Sequence, residues 1–226
     1  LPTGGSLEQA DGTAWMAFYC QNMLEMALIL AESDPQYEEH AWNFLQHFLW
    51  ISYAMDRIGD NHDEMWDEAD GFFYDVLRLP DGSATRLKVR SMVGLLPLCA
   101  STVFGPEEAA KYPRVKELIK LFTQRHPEVV AQIAPTEAGF IGTGGSRLLS
   151  PLSKKRLERV LSYLLDENEF LSPYGIRSLS RYHEGHPFNF EFGGQVFTVS
   201  YLPAESNTGM FGGNSNWRGP VWMPVN

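Results

Sequence analysis

Asp11-Gly12-Thr13-Ala14-Trp15-Met16-Ala17-Phe18-Tyr19-Cys20-Gln21-Asn22-Met23-Leu24-Glu25-Met26-Ala27-Leu28-Ile29-Leu30-Ala31 is the stretch on which the fold turns. Its apolar positions, among them Trp15, Phe18, Met23, Met26 and Ile29, cover most of a helical circumference. That pattern predicts a helix buried on nearly all sides, with Asp11 or Thr13 as its N-cap. From Pro35 to Ile58 the pattern changes. Glu38, Glu39, His40, Asn43 and His47 lie largely opposite Tyr37, Ala41, Phe44, Phe48 and Met55, which predicts an amphipathic, outward helix. The short Ser33-Asp34-Pro35 link makes the pair a helical hairpin.

Further helices are expected over Val93 to Phe104, Pro113 to Gln124 and Ser153 to Asp166, with a sixth starting near Pro220. Two β-hairpins are expected between them. Phe72 to Leu77 and Thr85 to Val89 flank Pro80-Asp81-Gly82-Ser83, and Phe188 to Phe192 and Gln195 to Val199 flank Gly193-Gly194. Gly139 to Gly145 reads as a flexible loop. The resulting expectation is a mainly α protein, a stack of helical hairpins with short β-hairpin insertions, built as an (α/α)6 toroid. A closed ring of this kind needs roughly 350–400 residues. The 226 residues therefore read as part of a single (α/α)6 domain truncated at both ends, whose opened ring exposes apolar helix faces.

Composition narrows the partners. The chain carries 18 basic and 28 acidic residues, a net charge of −10, and no basic block, so nucleic acid and anionic membrane are poor partners. No apolar run is long enough for a membrane helix. Two cysteines, Cys20 and Cys99, sit in apolar helix-like runs and read as buried free thiols, which points to the cytoplasm. No metal knuckle and no nucleotide fingerprint occurs, so neither metal nor cofactor is expected. In particular, Gly142-Thr143-Gly144-Gly145-Ser146 lacks the lysine of a phosphate loop, and His183-Glu184-Gly185-His186 is not a zinc helix.

The most chemically loaded string is Gly212-Gly213-Asn214-Ser215-Asn216-Trp217-Arg218-Gly219-Pro220-Val221-Trp222. Indole faces stack on the C–H faces of sugars, while Arg218 and Asn216 supply fixed groups that read hydroxyls. The plainer reading is a turn entering a buried helix at Pro220. Glu64-Met65-Trp66-Asp67-Glu68-Ala69-Asp70 sets carboxylates among aromatics, either for sugar contact or as a solvated acidic loop; a calcium site is the third reading, and it fails the EF-hand spacing because the twelfth-position Glu is missing. Arg177, in Gly175-Ile176-Arg177-Ser178, is either a hydroxyl reader or part of a surface turn. Asp11 is either a helix cap or a polar group facing a central cavity.

Four strings together, Asp11 to Ala17, Trp66 to Asp75, Gly175 to Ser180 and Phe211 to Trp222, resemble glycoside hydrolase family 63. The resemblance implies hydrolysis of an α-glycoside with inversion, a reaction that uses two carboxyl groups roughly 6.5–9.5 Å apart. It implies a substrate-binding set of Trp217, Arg218, Trp222 and Asn216, joined by Trp66, Asp67, Asp70, Arg177 and Asp11. The family's acid, an Asp in a Gly-Leu/Met-Asp-Asn/Asp string, has no counterpart here, and its base lies after the Trp-Arg-Gly-Pro motif. Both catalytic carboxylates are therefore expected outside the chain. The alternatives are a non-catalytic carbohydrate-binding or scaffold helical domain, and an epimerase-like enzyme using His183 or His186.

Overall fold

The structure is a computed structural model that describes residues 3–56, 64–129, 140–141, 143–173 and 175–201. In chain order the elements are β1 (Ser6–Glu8), α1 (Ala10–Ala31), α2 (Tyr37–Asp56), β2 (Trp66–Asp67), β3 (Phe72–Phe73), β4 (Asp75–Arg78) and β5 (Ala84–Leu87). Then come β6 (Thr102–Phe104), α3 (Glu108–Lys111), α4 (Pro113–Arg125), β7 (Phe140–Ile141), β8 (Arg147–Leu149) and α5 (Lys154–Leu164). The last strands are β9 (Leu171–Ser172), β10 (Gly175–Ile176), β11 (Phe188–Phe192) and β12 (Gln195–Val199).

This architecture overturns the mainly α toroid. About 48% of the described residues are helical and 21% lie in strands. The strands form small antiparallel sheets, ordered β1-β4-β5 and β6-β8-β7, plus the pairs β2–β3, β9–β10 and β11–β12. The fold is mixed α/β. The two hairpins, β4–β5 and β11–β12, stand where the turn residues place them, and β7 pairs locally with β8, whereas β1 pairs with β4 and β6 with β8 across long sequence separations that no local signal encodes.

The expected helix over Val93 to Phe104 does not form. The segment makes two 3-10 turns, Met92–Gly94 and Leu96–Cys99, and then enters β6. Pro97 removes an amide donor from what would be the helix interior. Gly94 lies so close to the Phe72 ring and the Phe73 carbonyl that a Cβ would collide with both, so close packing, and not helix continuation, fixes it.

The chain divides into two compact units, one of residues Leu1–Asp11, Ile58–Leu96 and Arg156–Asn226, the other of Gly12–Arg57 and Pro97–Lys155. In the first, β1 pairs with β4 and β4 with β5, with Glu8 opposite Val76 and Asp75 opposite Leu87. Trp66, Phe72, Phe73, Tyr74, Val76 and Phe170 are fully buried there, and the Phe72 and Phe170 rings stack at 5.8 Å.

In the second unit, Leu24, Ala27 and Ala31 of α1 share a core with Ala41, Trp42 and Leu45 of α2 and with Val115 and Phe122 of α4. The α4 start is capped across the core. Glu38, 7% exposed, accepts the backbone N–H groups of Arg114 and Val115 at 2.8 and 3.1 Å, and Pro113 occupies the first turn. A carboxylate at a helix N-terminus satisfies orphan donors and opposes the helix dipole. So a residue assigned by pattern to the outward face of α2 is in fact buried.

Helix α1 departs from expectation in the opposite sense. Its inward face is Ala14, Ala17, Cys20, Leu24 and Ala27, whereas Met16, Tyr19, Met26 and Ile29 are 53–68% exposed. An all-round apolar pattern predicts burial on every side, but here only the face of Ala14, Ala17, Cys20, Leu24 and Ala27 is fully covered.

Candidate functional site

The loop from Glu64 to Asp75 belongs to the first unit, and its shape follows from its own residues. β2 and β3 pair Trp66 with Phe73 and Asp67 with Phe72. The turn between them is closed by the Gly71 amide, which donates to the Asp67 carbonyl at 2.7 Å, and by the Asp70 amide, which donates to Asp67 Oδ1 at 2.9 Å. Gly71 takes φ +69°, a conformation that favours glycine.

Helix α5 holds this loop from one face. Arg156, Arg159 and Tyr163 follow at i, i+3 and i+7 and therefore align. The Arg156 guanidinium lies over the Trp66 ring at 4.7 Å. Arg159 donates to the carbonyls of Glu68 and Ala69 at 2.7 and 3.0 Å, and the Tyr163 hydroxyl donates to the Asp70 carbonyl at 2.5 Å. Burial brings the Arg156 guanidinium down to about 10, which leaves it cationic at neutral pH.

Strand β5 and the residues after it supply the countercharges. Asp67 is 4% exposed, and its Oδ2 meets Arg86 at 3.0 Å and Lys88 at 2.8 Å. Burial pushes its pKa up, but hydrogen bonds from Lys88 and the Asp70 amide, together with the Lys88 and Arg86 charges, pull it below the usual carboxylate range. Asp67 is thus a fixed anion unsuited to donating a proton. Asp70 is less enclosed. Its Oδ2 accepts the Tyr74 hydroxyl at 3.0 Å and Lys88 Nζ at 3.1 Å. The Lys88 side chain is 45% exposed, so the Asp70–Lys88 pair is the part of the cluster that meets solvent.

A second polar cluster adjoins the loop through Tyr74 and Tyr163. Arg90 pairs with Glu169 at 2.5 Å and lies over the rings of Tyr182, at 4.0 Å, and Tyr163, at 5.1 Å. Ser180 donates to the other Glu169 oxygen and caps the turn Arg181–Glu184 by accepting the Tyr182 amide at 3.0 Å. His183 is 2% exposed. Its Nε2 accepts the Arg90 amide at 2.9 Å, and its Nδ1 faces the His186 carbonyl at 2.8 Å. Both ring nitrogens are thereby engaged in the neutral form. Burial, with the Arg90 and His186 charges, holds the His183 pKa below the ordinary histidine value against the pull of that carbonyl.

The other residues assigned from sequence are placed as follows. Arg177 directs its guanidinium to backbone, with Nη1 donating to the Glu167 and Glu169 carbonyls at 2.9 and 3.3 Å and to the Leu171 carbonyl. Its Nε donates to the Tyr201 hydroxyl at 3.3 Å. Trp66 is 2% exposed, donates from its indole nitrogen to Glu68 at 2.7 Å, and meets Phe73 edge-on. Asp11 lies in the first turn of α1, one residue after the helix start, so the cap at that end comes from elsewhere. Asn216, Trp217, Arg218 and Trp222, with the helix expected at Pro220, lie outside the described residues. Trp66, Asp67, Asp70 and Arg177 do fall in one unit. Arg86, Lys88, Arg90, Glu169 and Asp75 carry the electrostatics without a shared local pattern; the alternation of Arg86, Lys88 and Arg90 through the end of β5 and the residues after it is the one available cue. Among the described residues no group of three His, Cys, Asp or Glu is disposed to hold a metal ion, and no helix is long and apolar enough to cross a membrane.

No family model matches the chain. The chain is 47% identical over 236 residues to the uncharacterized protein YMR196W of Saccharomyces cerevisiae, and the match takes in 100% of this chain. It spans 22% of the length of that curated relative.

Proposed function

We propose that this chain is the sugar-contacting section of an inverting α-glycosidase, within a longer polypeptide that supplies both catalytic carboxylates. The observation that carries the reading is the clamped loop Trp66 to Asp75. Its Asp67 anion is dry and fixed, and its Asp70–Lys88 pair is presented to solvent on a backbone braced by α5. Preorganised, oppositely charged groups of this kind read sugar hydroxyls as both acceptor and donor. Trp217 and Trp222 would add the stacking surface, and Asn216 and Arg218 further hydroxyl-reading groups. Cys20 and Cys99 are free thiols, which supports a cytoplasmic setting.

The test uses the full-length protein on α-glucosides and α-mannosides, with the anomer of the first product read by proton NMR. Hydrolysis with inversion is expected, and Trp217→Ala or Asp70→Asn is expected to lower kcat/KM by at least about tenfold. Retention of configuration, or turnover indifferent to both substitutions, rejects the proposal.

A scaffold role is the second reading, and two contacts favour it. The Trp66 ring carries Arg156 on its face, and the Arg177 donors are taken up by backbone carbonyls. If the full-length protein neither hydrolyses nor binds α-glycosides, that reading stands in place of the first.

A further inference from the structure

The outward face of α1 carries a row of large apolar side chains that the described residues leave exposed. Trp15, Met16, Tyr19, Met26, Ile29 and Leu30 are 37–68% exposed, and every one is large and apolar. They are not scattered. Trp15, Tyr19, Met26 and Ile29, with Asn22 between, repeat at spacings of 4-3-4-3, the seam along which one helix packs on another. The inward face, by contrast, is built mostly from small residues, Ala14, Ala17, Cys20 and Ala27, with Leu24 the one large aliphatic side chain buried among them. A helix that gives mostly small side chains to its own core and a continuous row of large apolar ones to the outside is ordered for a second partner. The helix runs about 33 Å along 22 residues, and its strip leaves on the order of 600 Å² open, at the upper end of the apolar patches that ordinary monomers carry.

We infer that this strip is the docking face for an apolar helix from the part of the full-length protein outside residues 1–226. Two observations select that occupant. The curated relative matched by this chain is far longer, since the match takes in only 22% of it, so ample further polypeptide exists to supply such a helix. The exposed area also falls short of the roughly 800 Å² per partner that a free, specific complex buries. A helix on the same chain acts at millimolar effective concentration and needs less contact to remain docked. The seam is apolar at Trp15, Tyr19, Met26 and Ile29, so the partner helix presents aliphatic or small residues at the same 4-3 spacing and crosses at about 20°. This inference is independent of the glycosidase reading, and its measurements do not involve turnover.

The experiment takes the full-length protein. Peroxide oxidation of Met16 and Met26, followed by peptide mass spectrometry, is expected to run at least about fivefold slower than oxidation of free methionine, because docking hides both sulfurs. In parallel, Ile29 is replaced by the photoreactive p-benzoylphenylalanine in an equal mixture of isotopically light and heavy protein. Cross-links from position 29 to a segment of the same chain outside residues 1–226 are the expected result. Oxidation at the rate of free methionine overturns the inference. So do light-to-heavy cross-links, which would make the strip an interface between two copies, and links confined to residues 202–226.

Discussion

The carboxylate of Asp75, at the start of β4, accepts the backbone N–H of Ala10, the first residue of α1, at 2.9 Å across 65 positions of sequence. The α1 N-terminus is therefore capped by a strand residue and not by a neighbour in the chain. Asp75 is 2% exposed, so neither partner has water to fall back on.

Removing that acceptor leaves a buried amide unsatisfied and a helix dipole unopposed. Asp75→Ala is expected to cost about 2 kcal/mol, which for a chain of this size lowers Tm by roughly 4–8 °C. Asp75→Asn keeps an acceptor oxygen and should lose less than half as much. Thermal melts followed by circular dichroism make the comparison, and an unchanged Tm in the alanine variant would remove Asp75 from the capping role.

The glycines separate close packing from open turns. At Gly94 a Cβ would meet the Phe72 ring and the Phe73 carbonyl, whereas at Gly82, in the β4–β5 turn, nothing lies within 4 Å. Gly94→Ala is expected to destabilise by about 3 kcal/mol through overpacking. Gly82→Ala, strained only by its φ of +85°, should cost about 1 kcal/mol. Urea midpoints for the two variants decide it. Equal losses would mean that the Phe72 ring moves aside freely.

The same positions show why the sequence spoke clearly in some places and not in others. Helices α2, α4 and α5 are legible because a 3.6-residue period survives over 11 or more residues, and α1 because a long apolar-rich run with no proline in it is helical even without a polar face. The β4–β5 and β11–β12 hairpins were legible from Gly82 and from Gly193 and Gly194, which all take positive φ. Strands of two or three residues, such as β2, β6 and β8, are too short to show alternation. The register of β6 on β8 is moreover set far along the chain, with Thr102 opposite Leu149. In the candidate site, the aromatic and acidic residues of the loop stood out by composition. Their partners did not, because Arg90 meets Glu169 across 79 positions and Arg86 meets Asp67 across 19. Periodicity reports which faces of a helix are apolar, and the exposed Tyr19 and Ile29 show that it does not report which of them the same chain covers.

The clamp on the acidic loop is testable without any assay of function. Arg159 fixes the Glu68 and Ala69 carbonyls, and the adjoining Gly71 amide closes the turn on Asp67. Arg159→Ala is expected to accelerate hydrogen exchange at Gly71 and Asp70 by at least about tenfold, corresponding to about 1.4 kcal/mol of local opening, while α2 amides stay unchanged. Exchange at Gly71 that matches the parent protein would show that the turn holds itself.

His183 sets a pH limit on the first unit. Its folded pKa lies below the ordinary histidine value because burial disfavours the imidazolium, and Nε2 is already an acceptor for the Arg90 amide. Above about pH 6.5 both folded and unfolded forms are neutral, and the residue contributes no pH dependence. As pH falls below about 6.5 the unfolded chain takes up a proton that the folded chain refuses, so stability declines, by at most about 1.4 kcal/mol per pH unit, until the folded pKa is reached. Asp67 behaves separately, since its depressed pKa confines its loss of stability to pH below about 3.9. Between pH 6.5 and 5.0 the urea midpoint is therefore expected to fall in the parent protein. It should fall less steeply in His183→Gln, whose amide titrates nowhere and can still accept from Arg90. Parallel slopes for the two proteins would transfer the pH sensitivity to another group and leave His183 as a packing residue only.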